Sequence, residues 1–248
     1  MTAIARERQQ AEATRDGALG GLAFALDHSG ILYLPDHRAV VVADLHLEKG
    51  SARAARGAFL PPYDTRETLA RLARAIAPYA PRVLIALGDS FHDVGGPDRL
   101  GEAERAGLAA IAQGREMVWV TGNHDATLPE SLGGSVVASL ALDGVRLAHE
   151  PTAASPEDPS AREICGHLHP AAKVRLRGRS VRRRAFASDA RLLVMPAFGA
   201  YAGGLDVCDP AIAGLFPLGF RAHILGESRV YTVDARLLTP DVVGKRKI

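Results

Sequence analysis

The chain has 248 residues, 47% of them hydrophobic and 23% charged, with a formal net charge of +2. That is enough chain for one substantial core, and so balanced a charge exerts no bulk pull toward nucleic acid. Residues 1–17 show no signal-peptide or anchor pattern, no apolar run approaches the ~20 residues of a membrane span, and the two cysteines, Cys165 and Cys208, exclude a disulfide framework, so a cytoplasmic protein is expected.

Residues 1–17 read as a flexible N-terminal tail and 18–248 as a single domain. Residues 22–26 and 31–34 read as a strand pair about the turn His28, Ser29 and Gly30. The β-branched run 40–43 reads as a strand ending at Asp44. Residues 66–76 have helical periodicity, with Thr65 as cap and Pro78 as stop. Val83–Leu87 is a strand ending at Gly88, residues 98–113 a helix, and 117–120 a strand ending at Thr121. Three strands therefore deliver polar residues at their carboxyl ends, where open α/β sheets hold ligands. Beyond them, residues 145–149, 163–165, 172–176, 180–186 and 192–195 read as short strands of a second, mixed or antiparallel sheet, and 151–160 as a loop. The expected fold is α/β, a four-layer sandwich of two packed mixed β-sheets flanked by helices.

Five motifs stand in order along this frame: Asp44-Leu45-His46, Gly88-Asp89, Gly122-Asn123-His124-Asp125, His149, and Gly166-His167-Leu168-His169. Each is weak alone. Together they supply carboxylate, amide and imidazole donors for two adjacent divalent ions, a pairing that clamps a phosphate and activates water against it. On an extended segment Asp44 and His46 leave the same face, as do His167 and His169. Asp89 could bridge both ions with its two oxygens. The donor mixture suits Mn, Fe or Zn and not Ca.

These motifs resemble those of the calcineurin-like metallophosphoesterase superfamily from Asp44 to His169. By that resemblance Asp44, His46, Asp89 and His169 would hold one ion, and Asp89, Asn123, His149 and His167 the other. His124 would be the histidine near the leaving oxygen, oriented or polarised by Asp125. The stretches 44–50, 60–65, 87–93 and 196–205 are similar to those of the ligase-associated DNA-damage-response phosphoesterases of bacteria. That branch implies a manganese-dependent DNA endonuclease acting in repair, with hydroxide attack between two metals and His124 as general acid. Many superfamily members carry a second acid three residues after the Gly-Asp aspartate; here Phe91 and His92 delay it to Asp93, which receives no metal role.

Other residues admit a functional and a plainer reading. Lys49 could meet a substrate phosphate or begin a solvated helix. Lys173, Arg175, Arg177, Arg179, Arg182, Arg183 and Arg184 form one dense basic segment, a hairpin about Gly178 that either faces nucleic acid or protects a sheet edge. Tyr201 could stack a base or anchor its glycine-rich loop. His92 reads as a structural hydrogen bonder, and His28, His37 and His223 as surface or capping residues. The expected substrate is DNA, single-stranded by preference. A small nucleotide or cyclic diester is the alternative and a non-catalytic scaffold the third reading. A repair helicase or ligase is the expected partner, with a homodimer as a further option.

Overall fold

The computed structural model describes residues 14–58, 61, 63–152, 160–176 and 178–241, without the side chain of Leu176. The short β-branched and apolar runs pair into two mixed sheets. The first contains, in spatial order, β1 (Thr14–Leu19), β2 (Leu22–Asp27), β3 (Leu32–Leu34), β4 (Ala39–Val42), β5 (Val83–Leu87), β6 (Glu116–Val120) and β7 (Ser135–Val137). β1 to β4 pair antiparallel and β4 to β7 parallel. The parallel pairs need crossovers. These carry α1 (Lys49–Ala54) and α2 (Asp64–Ile76), then α3 (Gly96–Arg99) and α4 (Glu102–Ala112).

The second sheet holds β8 (Ser139–Leu142), β9 (Val145–Ala148), β10 (Arg162–Cys165), β11 (Pro170–Leu176), β12 (Arg179–Ser188), β13 (Leu192–Val194), β14 (Leu205–Asp206), β15 (Arg221–Leu225) and β16 (Val230–Asp234). Its order is β14-β11-β12-β13-β10-β9-β8, with β15 added on β12 and β16 on β15. Strand alternation splits the apolar residues between layers. Val41 faces the core between the sheets with Leu87, Leu147, Ile164 and Leu193. Its neighbours Val40 and Val42 face Leu69 and Leu72 of α2 and Leu108 of α4. Truncating a side chain from the central layer, such as Leu147, would cost about 2–5 kcal/mol. Among the described residues the outer face of the second sheet carries the single turn α5 (Pro210–Ala213) and its flanking loop, with Ile212 and Phe216 packed on Ala185, Ala187 and Val194, and Leu238 beside them. The fourth layer is thin. Among the described residues no helix is long and apolar enough to cross a membrane.

Several expectations change. Thr14–Gly17 were assigned to the tail, but they pair with β2 as part of β1. The expected helix over 98–113 is two helices, parted where Gly101 turns extended at φ −69°, ψ 167°. Arg105 spans that break, donating to the carbonyls of Pro97 and Leu100 and so satisfying groups the break leaves open. Thr65 lies inside α2, whose cap residue is Tyr63, and its hydroxyl serves Glu48 instead. The expected loop 151–160 lies largely outside the described residues.

Candidate metal centre

Metal-ligand candidates gather where the loops after β4, β5, β6, β9 and β10 meet. The loop after β4 runs beside the one after β5: Asp44 N–H donates to Gly88 O, His46 N–H to Asp89 O and Leu47 N–H to Ser90 O. The extended alternation expected for Asp44 with His46, and for His167 with His169, is not what aligns them. Asp44, His46, Asp89, His167 and His169 all sit in the left-handed region, with φ of 55°, 44°, 46°, 68° and 47°. Such backbone costs of order 1–3 kcal/mol per residue and persists where the surroundings over-determine it, typically at functional sites. Close approach explains two motif glycines. A Cβ at Gly88, itself at φ 77°, would strike the His149 ring, and one at Gly166 would stand 2.6 Å from Asp44 Oδ2.

Two clusters result, Asp44 with His46 and His169, and Asp89 with His149 and His167. In the first, His46 Nε2 faces His169 Nε2 at 3.2 Å, and Asp44 Oδ1 lies 3.3 Å from His169 Nε2. In the second, His167 Nδ1 lies 3.2 Å from His149 Nε2, and Asn123 Oδ1 is 3.0 and 2.9 Å from those two nitrogens. Asp89 joins them, Oδ2 being 3.8 Å from His46 Nε2 and Oδ1 3.4 Å from His149 Nε2. Donors ~2.1 Å from one ion at tetrahedral or octahedral angles stand about 3.0–3.4 Å apart. The edges within each group fall close to that spacing, the Asp89–His46 edge between the groups is longer at 3.8 Å, and the imidazole, carboxylate and amide set suits a divalent ion of borderline hardness. All seven predicted ligands gather here, with Asp89 in the second group and facing the first.

The electrostatics favour unprotonated His46 and Asp89, whereas the carboxylates around His149 favour its charged form. Burial and the facing His169 push His46 down to about 3. Burial alone would raise Asp89, but the His149 hydrogen bond and charge, the His124 N–H and His46 hold it at about 2. Burial disfavours charge on His149 too, yet its contacts with Asp89 and Asp44 raise it.

His124 stands at the edge of this group, its Nε2 3.9 Å from Asp89 Oδ2 and its side chain 40% exposed. Its Nδ1 faces the carbonyl oxygen of His92 at 2.9 Å, and the two rings stack at 5.3 Å. Asp125, expected to orient His124, instead accepts the backbone N–H groups of Gly122 and Phe91. It is a buried clasp between two ligand loops, raised to about 6 by that burial. The His92 carbonyl takes the orienting place, which a reading of side-chain types could not find. Asp93 pairs with Arg99 at 2.7 Å, away from both clusters. A second buttress was also missed: buried Glu48 accepts from Thr65 and Ser51, while Asp64 accepts the Gly50 N–H. Its signal was the Asp64-Thr65 pair in a matching stretch.

The expected nucleic-acid contacts scatter. Lys49 begins α1 close enough to His46 and His92 for its charge to depress both. Arg175 and Arg183 are exposed, whereas Arg177 lies outside the described residues. Arg182 is engaged by Asp241 at 2.9 Å and by Gly204 O at 2.7 Å. Arg184 turns inward to the carbonyls of Ala197 and Phe198. Tyr201 donates to Pro61 O, anchoring its loop.

A family model for calcineurin-like phosphoesterases matches residues 37–176. The structure is similar to the crystal structure of the Pseudomonas putida nuclease MPE, with 28% identity over 89% of this chain and 100% of that one and a TM-score of 0.68. It also resembles a phosphoesterase from E. coli, at 14% identity over 79% of this chain and 97% of that one, with a TM-score of 0.40. Among curated proteins nothing matches.

Proposed function

Because the chain belongs to the calcineurin-like phosphoesterase family, we propose that it is a manganese-dependent phosphodiesterase that cuts DNA internally, single strands by preference, in DNA repair. It is a metallophosphoesterase with two candidate metal clusters. The observation that carries the finer reading is this pair of clusters on a chain that aligns with a nuclease over the whole length of that nuclease. The single domain expected over 18–248 is extended to take in Thr14–Gly17 of β1, since both sheets contribute to one apolar layer. A cytoplasmic location, a repair helicase or ligase as partner, and self-association belong to the same proposal.

Asp44, His46, Asp89 and His169 would hold one ion, and Asp89, Asn123, His149 and His167 the other. Bound there, the ions would supply positive charge to the phosphate oxygens and acidify a water. The chain's own residues do the rest. The His92 carbonyl keeps a proton on His124 Nδ1, leaving Nε2 as the atom that would hold a second proton and pass it to the leaving oxygen. Asp89 Oδ1 accepts the His124 N–H at 2.9 Å, so the same carboxylate places the acid relative to the ions. Lys49, Arg175 and Arg183 are proposed to attract the strand, while Arg182, Arg184 and Tyr201 are held in internal bonds that a strand would have to displace.

A small nucleotide or cyclic diester is the second reading, favoured by the internal pairing of Arg182. One assay decides between them: manganese-reconstituted protein is offered circular single-stranded DNA, relaxed circular duplex and small diesters. Faster opening of the single-stranded circle is expected, because a duplex with ~150 bp persistence length resists bending into the site. Turnover of small diesters with both circles intact would overturn the DNA reading.

A further inference from the structure

We infer that a basic cleft next to the metal centre, lined by Arg71, Arg74 and Arg184, binds a second phosphate of the strand being cut. This rests on DNA as the substrate. The cleft has a volume of about 330 Å³, between α2, the β2–β3 turn and β12, with Phe198 as its floor.

Its cations are unusually placed. Arg71 lies over the Phe198 ring at 4.8 Å, and Arg184 donates through Nη1 to the carbonyls of Ala197 and Phe198. Among the described residues neither guanidinium enters an ion pair with a carboxylate. Both are half-buried: burial and the neighbouring Arg71 charge lower Arg184 to about 10, and burial lowers Arg71 against the opposing charge of Glu67, with Arg74 adding to the lowering. Withdrawing the Arg184 guanidinium from water with no carboxylate beside it is costly. A bound anion removes that cost, and the guanidinium fork suits phosphate.

Ser29 lines the cleft, and its Oγ is buried with no partner. The nearby carboxylates are engaged elsewhere. Asp27, the carboxylate in the wall, has one oxygen on the Tyr79 hydroxyl and the other on the Ser29 N–H. Glu67 lies with Arg74 at 3.6 Å.

Position links the cleft to the metal clusters. β3 runs antiparallel to β4 with Leu32 opposite Val41, so the β2–β3 turn lies at the end of the sheet where Asp44 emerges. Phe198 N–H donates to Ala43 O and Gly199 N–H to Asp44 O, so one loop separates the cleft from the first ligand. A strand with one phosphate at the metals has another within reach of the cleft. A nitrophenyl diester does not.

The test uses metal-loaded wild type and Arg71→Gln, with Arg74→Gln as a second variant on an exposed side chain. Binding of a cleavage-resistant phosphorothioate single strand is measured against salt, and binding of inorganic phosphate alongside. Nitrophenyl diester turnover is the control. Arg71→Gln should weaken strand binding about tenfold and flatten the log–log salt slope by ~0.7, with diester turnover unchanged. Unchanged strand affinity and slope in both variants overturn the inference, even if the protein cuts DNA. Loss of inorganic phosphate binding alone, with strand binding intact, assigns the cleft to a free anion and overturns it equally. Weakened strand binding in a protein that cuts no DNA supports the cleft while removing the nuclease reading.

Discussion

His169 belongs to a metal cluster and Pro170 begins the hairpin β11–β12, so the chain's densest set of donors adjoins its densest set of cations. The first set converges: ring nitrogens face each other at 3.2 Å with carboxylates behind them, an arrangement that suits a shared cation. The second disperses. Lys173 and Arg182 share Asp241, Arg184 turns to backbone carbonyls, and Arg175 and Arg183 face solvent. Convergence of donors marks a ligand site; a run of like charges in sequence does not, because successive residues leave a strand on opposite faces and even those on one face can find separate partners.

The contrast is broken most severely at Asp89, which belongs to one cluster and faces the other. Asp89→Ala should lower turnover by at least about 10³-fold, beyond the usual cost of one electrostatic donor, and should reduce the metal content found by elemental analysis. Wild-type turnover with two metals retained would dissolve the distinction. Next, His124→Ala should lose 10²–10⁴-fold on DNA, whose leaving alkoxide needs a proton, and far less on a nitrophenyl diester. Equal losses on both substrates would remove its role as acid.

His223 supplies a control, a half-buried histidine in neither candidate metal group. Expected as a surface or capping residue, it is held between Ser188 Oγ and Thr232 Oγ1, and burial with the nearby Arg15 and Arg221 lowers it to about 4. With a folded value below the unfolded ~6.5, its contribution is complete above pH 6.5. It falls away as the pH drops toward 4, by up to about 3 kcal/mol. Denaturant titrations of wild type and His223→Gln across that window should converge at low pH; parallel curves would contradict the shift.

Smaller effects sharpen the reading of the hairpin. Arg184→Ala leaves the Ala197 and Phe198 carbonyls short of a donor and should cost ~1–3 kcal/mol, against ±0.5 for exposed Arg183→Ala, by chemical denaturation. Smallest of all, replacing Arg175 or Arg183 should flatten the salt slope of single-strand binding by ~0.7 each if it meets a phosphate, whereas the already engaged Arg182 should change it less. A larger change at Arg182 than at Arg183 would mean that Asp241 yields its partner to the strand.

The metal ligands were legible because they follow apolar strand runs directly: 40–43, Val83–Leu87 and 117–120 announce β4, β5 and β6, and donors at strand ends need only the sheet to meet. Hairpin β11–β12 was equally legible from Gly178 and its alternation. Strands β1, β7, β8, β14, β15 and β16 are not legible in the sequence, since they are short or mix charge with apolar residues. The break at Gly101, the left-handed backbone at the ligands, the His92 carbonyl behind His124 and the inward turn of Arg184 are tertiary decisions. Residue type and spacing determine which donors a chain can offer. Which of them lose their water, and which find an internal partner, depends on the loops and layers packed around them.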